Sequence, residues 1–249
     1  MSAPIPPPPP SEVRVQFHEA LDGVMRDVTI LAGHALETIP RGTEALLAND
    51  LDAAQELIDH DDVIDDLAVE IEEVCYRLLA LESPVANELR ALVAAIRLVS
   101  EIERSADLMV NVCKAARRIY PVELPPEVRG LLEQMSEQAV RLFRMCVDAY
   151  NEEDSAKAAA LDDIDDVLDV LHADFVEAVL NWANDSGEVK TAVQLALIGR
   201  YYERVGDHAV NIGERVRYMV DGWLPEHTGA ARLHATPPAW MPESTQSST

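Results

Sequence analysis

From about residue 13 to residue 222 hydrophobic positions recur every three or four residues, the spacing that puts one apolar stripe on an α-helix at about 100° per residue. Leu57, Ile64, Leu67, Ala68, Ile71, Cys75 and Leu78 share one face of a predicted helix, and Leu92, Ile96, Val99, Ile102, Ala106 and Val110 share one face of the next. Turn and breaker residues punctuate the pattern at Asn49-Asp50, Ser83-Pro84, Pro121, Pro125-Pro126, Asn151 to Asp154, and Asp185-Ser186-Gly187. These breaks leave about six helices in two groups of three. Pro40 either splits the first helix or kinks it, and the pattern leaves both open.

The two groups repeat at an offset of 100 residues. Residues 103–111, Glu-Arg-Ser-Ala-Asp-Leu-Met-Val-Asn, match residues 203–211, Glu-Arg-Val-Gly-Asp-His-Ala-Val-Asn, at five positions. In the preceding helix Asp62, Ile64, Asp65 and Asp66 match Asp162, Ile164, Asp165 and Asp166 at the same offset. One offset shared by two helices is the mark of duplication. The expected fold is therefore all-α, two tandem antiparallel three-helix bundles, over residues 12–120 and 121–222. Gly199, Gly206 and Gly213 fall seven apart where the first repeat has Val99, Ala106 and Cys113. Helix-interior glycine costs roughly 1 kcal/mol against alanine, so close approach of a neighbouring helix is expected there. The Pro-rich residues 1–11 and the Pro, Thr, Ser and Gly mixture of 223–249 have no helical period and are read as disordered tails.

Composition narrows the partners. The formal charge of −25 disfavours sustained contact with nucleic acid or an anionic membrane surface and favours cations and basic protein surfaces. Cys75, Cys113 and Cys146 include no CxxC pair, so buried reduced thiols are expected rather than disulfides or a zinc site. The start of the chain lacks a signal-peptide pattern, and the longest compact apolar run, Ala91 to Ile96, is far short of a membrane span. A cytoplasmic protein without membrane insertion is expected.

The carboxylates are the candidate chemistry. Glu103, Asp107 and Asn111 are spaced i, i+4, i+8 in one row that starts inside the edge of the apolar stripe, and Glu203, Asp207 and Asn211 repeat that placement. In the preceding helix Asp61 and Asp65 flank the buried stripe, while Asp62 and Asp66 point away. Two helices that each offer an i, i+4 carboxylate pair make a set of hard oxygen ligands suited to a cation. The alternative is a structural network in which Arg104, Arg204 or Arg97 donates to these carboxylates without metal. Asp162, Asp163 and Asp166 are read as a solvated face. His208 has Leu108 as its counterpart and is read as incidental.

No Walker loop, nucleophile elbow, zinc-protease motif or Glu-x-x-His pair is present, so a non-enzymatic role is expected. The duplicated Glu-Arg-x-x-Asp-x-x-x-Asn pattern at 103–111 and 203–211, with Asp61-Asp62-Val63-Ile64-Asp65 on the helix before it, resembles the signature of the PhoU family over roughly residues 13 to 222. The resemblance implies metal ions, divalent or iron, held by Asp61, Asp65, Glu103 and Asp107, and by Asp165, Glu203 and Asp207. Leu161 stands where the second repeat should have its counterpart of Asp61, unless Asp162 compensates by a shift of helix phase. The resemblance further implies a homodimer. It also implies an adaptor between the ATPase subunit of the phosphate ABC importer and the phosphate sensor histidine kinase, holding the starvation response off when phosphate is plentiful. Two competing readings are a metal-storage or structural helical bundle and a carboxylate-bridged metalloenzyme.

Overall fold

The computed structural model describes residues 12–222, so the expectations for the two tails lie outside the described residues. Seven helical segments occur among them: α1 (Glu12–Ala48), α2 (Leu51–Leu81), α3 (Asn87–Ile119), α4 (Pro126–Asn151), α5 (Ser155–Ala159), α6 (Leu161–Ser186) and α7 (Val189–Asp221), with no strand. α1, α2 and α3 pack mutually as one bundle and α4, α6 and α7 as the other. The one-turn α5, absent from the sequence reading, leads into α6 and lies against α7.

Local chemistry sets the boundaries. Asp50 caps α2 by accepting from the backbone N–H groups of Asp52 and Ala53, and Asp154 does the same for Ala156 and Lys157 at α5. Gly187 and Gly222 end α6 and α7 in the left-handed region, at φ 78° and 71°. Pro126 stands in the first turn of α4, where a missing N–H costs nothing. Pro40, by contrast, lies inside α1, which runs on through it for 37 residues. The apolar face of α1 on both sides of Pro40, from Val24 and Leu31 to Ala45 and Leu46, is buried. Packing along this length outweighs the one backbone hydrogen bond that proline removes.

The two bundles share a core. The most extensive interface joins α3 to α7, with α1 on α4 beside it. At the second contact Thr43 of α1 lies 2.6 Å from the hydroxyl of Tyr202 on α7 and 2.7 Å from that of Ser136 on α4, and it donates to or accepts from each according to the hydroxyl rotors. All three residues are buried. Thr43→Val keeps the shape and leaves two hydroxyls without this partner, a loss of about 1–3 kcal/mol. The expected result is a melting temperature several degrees lower by calorimetry, and an unchanged value would show that the triad contributes nothing.

The cysteines are free and buried, as expected from the sequence. Burial pushes the thiols of Cys75 and Cys113 up to about 11 and that of Cys146 higher still. These are packing residues with little thiolate character at neutral pH.

Candidate functional site

The first acidic group forms where α2 and α3 run side by side. The apolar stripes of both helices are buried against the core, so residues at the stripe edges meet at the outer seam of the pair. Asp61 and Glu103 are half-buried there, and Asp65 and Asp107 are exposed. Burial first, and then the neighbouring charges of Asp107 and Asp65, push the Asp61 carboxyl up to about 6. Glu103 and Asp65 are raised for the same reasons, with Asp107 the leading neighbour in each case. The four residues expected to act together are thus close enough to disfavour one another's ionisation. Beside them opens a cleft of about 300 Å³ lined by Asp65, Ala68, Val69, Glu72, Val99, Ser100 and Glu103.

The second group, between α6 and α7, is built differently. Leu161 is fully buried and Asp162 is exposed, so α6 keeps the phase of α2 and Asp162 does not replace the missing carboxylate. Gly206 has no Cβ to occupy the space in which Asp165 Oδ1 and Leu168 sit. Asp165 therefore sinks into the seam, where Oδ1 is buried without a hydrogen-bond partner. Burial, followed by the charges of Asp169 and Asp207, pushes its carboxyl up to about 7. Glu203 and Asp207 do not converge on Asp165 as a bare acidic set, because both are paired with Arg200. The guanidinium contacts Glu203 Oε2 in close charge pairing and lies 3.8 Å from Asp207. Although Glu203 Oε2 is buried and makes no regular hydrogen bond, its charge is met by this pairing. Among the described residues, an arginine pairing of the kind weighed from the sequence therefore occurs at the second row, through Arg200 rather than Arg97, Arg104 or Arg204. The arginine stands three residues before Glu203 and seven before Asp207, on one helix face, and that spacing is its signal in the sequence.

Raised carboxylate pKa values have a definite sign. A carboxyl whose folded pKa lies above its unfolded value of about 4 takes up a proton more readily when folded, so stability rises as pH falls through the folded pKa. In chelated buffer the melting temperature is expected to rise from pH 8 to about pH 5.5 as the Asp165 and Asp61 carboxyls near 7 and 6 are protonated. Asp165→Asn should raise the value at pH 8 and flatten the profile. A profile with the wild-type slope in Asp165→Asn would show that Asp165 is not the source.

His208, read from the sequence as incidental, is part of the contact between the two bundles. It is buried at the α3–α7 interface, with Nδ1 2.6 Å from Glu101 Oε2, and Asn211 Nδ2 donates to the same oxygen at 3.2 Å. Burial alone would raise the Glu101 pKa, but these hydrogen bonds and the charges of His208 and Arg104 hold it below the ordinary value. Repeat symmetry concealed the pair, since Glu101 and His208 have Tyr201 and Leu108 as counterparts.

In donor type the acidic rows fit a hard cation, being carboxylate oxygens crowded into mutual repulsion, with Asp165 Oδ1 buried and unpartnered. Among the described residues, however, no group of three or more His, Cys, Asp or Glu is arranged closely enough to hold a metal ion. A cation at the first row would need Asp61, Asp65, Glu103 and Asp107 to close further. No described helix is long and apolar enough to cross a membrane.

Comparison with known proteins agrees with the duplicated fold. The family model described as the PhoU domain matches twice, at residues 28–116 and 132–216. The phosphate-specific transport system accessory protein PhoU homolog 1 of Mycobacterium tuberculosis is 36% identical over 218 residues, covering 86% of this chain and 96% of the relative. Homolog 2 of the same organism is 36% identical over 214 residues, covering 86% of this chain and all of the relative. The crystal structure of the phosphate transport system regulatory protein PhoU from Streptococcus pneumoniae superposes with a TM-score of 0.77 at 25% identity, over 84% of this chain and 98% of that one. PhoU from Pseudomonas aeruginosa gives a TM-score of 0.78 at 24% identity, over 83% of this chain and all of that one.

Proposed function

Because the chain belongs to the PhoU family, matched in both of its repeats, we propose that it regulates phosphate uptake as a non-enzymatic adaptor between the ATPase subunit of a phosphate ABC importer and a phosphate sensor histidine kinase. In this reading the protein is cytoplasmic and homodimeric and holds the phosphate-starvation response off when phosphate is plentiful. The observation that carries it is the pair of family matches, together with relatives named as accessory proteins of the phosphate-specific transport system. Supporting it is a surface with a formal charge of −25, suited to reversible docking on basic protein faces, where charge raises the association rate more than the affinity.

The acidic rows have a place in this reading. A hard cation held by Asp61, Asp65, Glu103 and Asp107 would remove the mutual repulsion that raises their pKa values and would draw α2 to α3. Such an ion supplies charge neutralisation and cross-linking, and its identity is not set by oxygen ligands alone. The protein's own contribution is to hold the carboxylates at the seam of two rigid helices.

The test is recovery of partners by mass spectrometry from phosphate-replete and phosphate-starved cells carrying the tagged chain. The importer ATPase or the kinase should be recovered with a yield that depends on phosphate. Deletion of the gene should derepress phosphate-starvation genes. Normal repression in a deletion strain that has no second copy of the family would overturn the adaptor role and leave the metal-storage reading.

A further inference from the structure

The two acidic rows are unequal, and the inequality is written into matched positions of the repeats. The cleft of about 300 Å³ beside the first row is lined by Asp65, Glu72 and Glu103, by the small Ser100, and by apolar side chains. Ser100 has Arg200 as its counterpart, and Glu72 has His172. Arg200 lies against Glu203 and Asp207, and its charge is felt by His172. Arg104 and Lys114, the positive neighbours of the first row, are exposed and make no ion pair among the described residues. Leu161, which replaces a carboxylate, is buried in the core beneath the second row.

We propose that the guanidinium of Arg200 is the resident cation of the second acidic row, so that an exchangeable divalent ion has a place at the first row and none at the second. A guanidinium carries its charge permanently and is tethered three residues from Glu203, so it offsets the charges of Glu203 and Asp207, though not that of Asp165, at no cost in association. A divalent ion approaching Glu203 and Asp207 must displace that charge or share the space with it. The duplication thus leaves one row responsive to a soluble cation and one fixed. The assignment for the first row rests on the cation-binding reading above, whereas the assignment for Arg200 does not.

The experiment uses the full chain stripped with EDTA, and reads Mn²⁺ uptake by equilibrium dialysis together with the melting temperature. The wild-type chain should take up Mn²⁺, and Asp207→Asn should leave that uptake unchanged while Asp61→Asn with Asp65→Asn abolishes it. Arg200→Ser should melt lower in EDTA, regain the lost stability on adding Mn²⁺, and bind an additional ion that Asp207→Asn removes. Arg200→Lys, which keeps the charge, should behave as wild type. If Arg200→Ser gains no ion and melts alike with and without Mn²⁺, the resident-cation assignment is wrong; loss of wild-type uptake in Asp207→Asn overturns it equally. A wild-type chain that binds no Mn²⁺, with Arg200→Ser binding it, overturns only the role of the first row.

Discussion

Glu101→Ala is expected to lower the melting temperature by on the order of 10 °C, the largest effect of any single polar truncation in this protein. The side chains of Glu101 and His208 are only 16% and 7% exposed, and they bridge the two bundles across the α3–α7 interface. Removing the carboxylate leaves both imidazole nitrogens without a protein partner, since Nε2 already has none. Stranding a buried polar or charged group in this way costs roughly 2–4 kcal/mol. Replacing both partners with apolar residues is far milder, because no unpaired group remains. Glu101→Met combined with His208→Leu, which restores the apolar character of Leu108, should therefore recover most of the loss. Differential scanning calorimetry decides the matter. A melting temperature for Glu101→Ala within about 2 °C of wild type would mean that the two bundles are held together by apolar packing alone.

A loss of similar size is expected from Gly213→Val, with Gly206→Leu close behind. A Cβ at Gly213 would stand 2.9 Å from the carbonyl oxygen of Ala158 and 2.6 Å from Leu161 Cδ1. The carbonyl belongs to the backbone of α5 and cannot swing away, so the whole turn has to move. At Gly206 a side chain would displace Asp165 and press on Leu168 Cδ2, 2.8 Å from the built Cβ. Overpacking of this kind typically costs about 1–3 kcal/mol, and these sites are fully closed. Gly130 is the control, with nothing within 4 Å of a built Cβ. Gly130→Ala should raise the melting temperature slightly through helix propensity, by roughly 1 kcal/mol or less. If Gly213→Val and Gly130→Ala melt alike, close approach of α5 to α7 is not what selects glycine.

The seven-residue spacing of Gly199, Gly206 and Gly213 announced close packing along one face of α7, and the structure supplies the partners. Their identities were out of reach, because Phe175, Leu168 and Leu161 reach the three positions only once α6 lies antiparallel on α7. The same division runs through the acidic groups. Asp61, Asp65, Glu103 and Asp107 could be assembled from helix phase alone, since stripe residues such as Ile64, Ile71, Val99 and Ile102 fix which edge of each helix faces the other. Arg200 was visible as a helix-face neighbour of Glu203, but the sequence offers Arg104 and Arg204 just as readily. Choosing among them required the side-chain placement that sets the Arg200 guanidinium against Glu203 and Asp207.

The sequence by itself determined the all-helical class, the duplication, the positions of most breaks, and the pairs of carboxylates at each stripe edge. All of these are written within one or two helical turns, or in a repeat that needs no structure to be seen. The tertiary structure alone decided that α1 continues through Pro40, that Glu101 meets His208, and that Asp165 is half-buried with its Oδ1 tucked against Gly206 while Asp65 remains exposed. Each depends on which helix faces lie together at residues tens to a hundred positions apart, and periodicity along one helix carries no information about its neighbour.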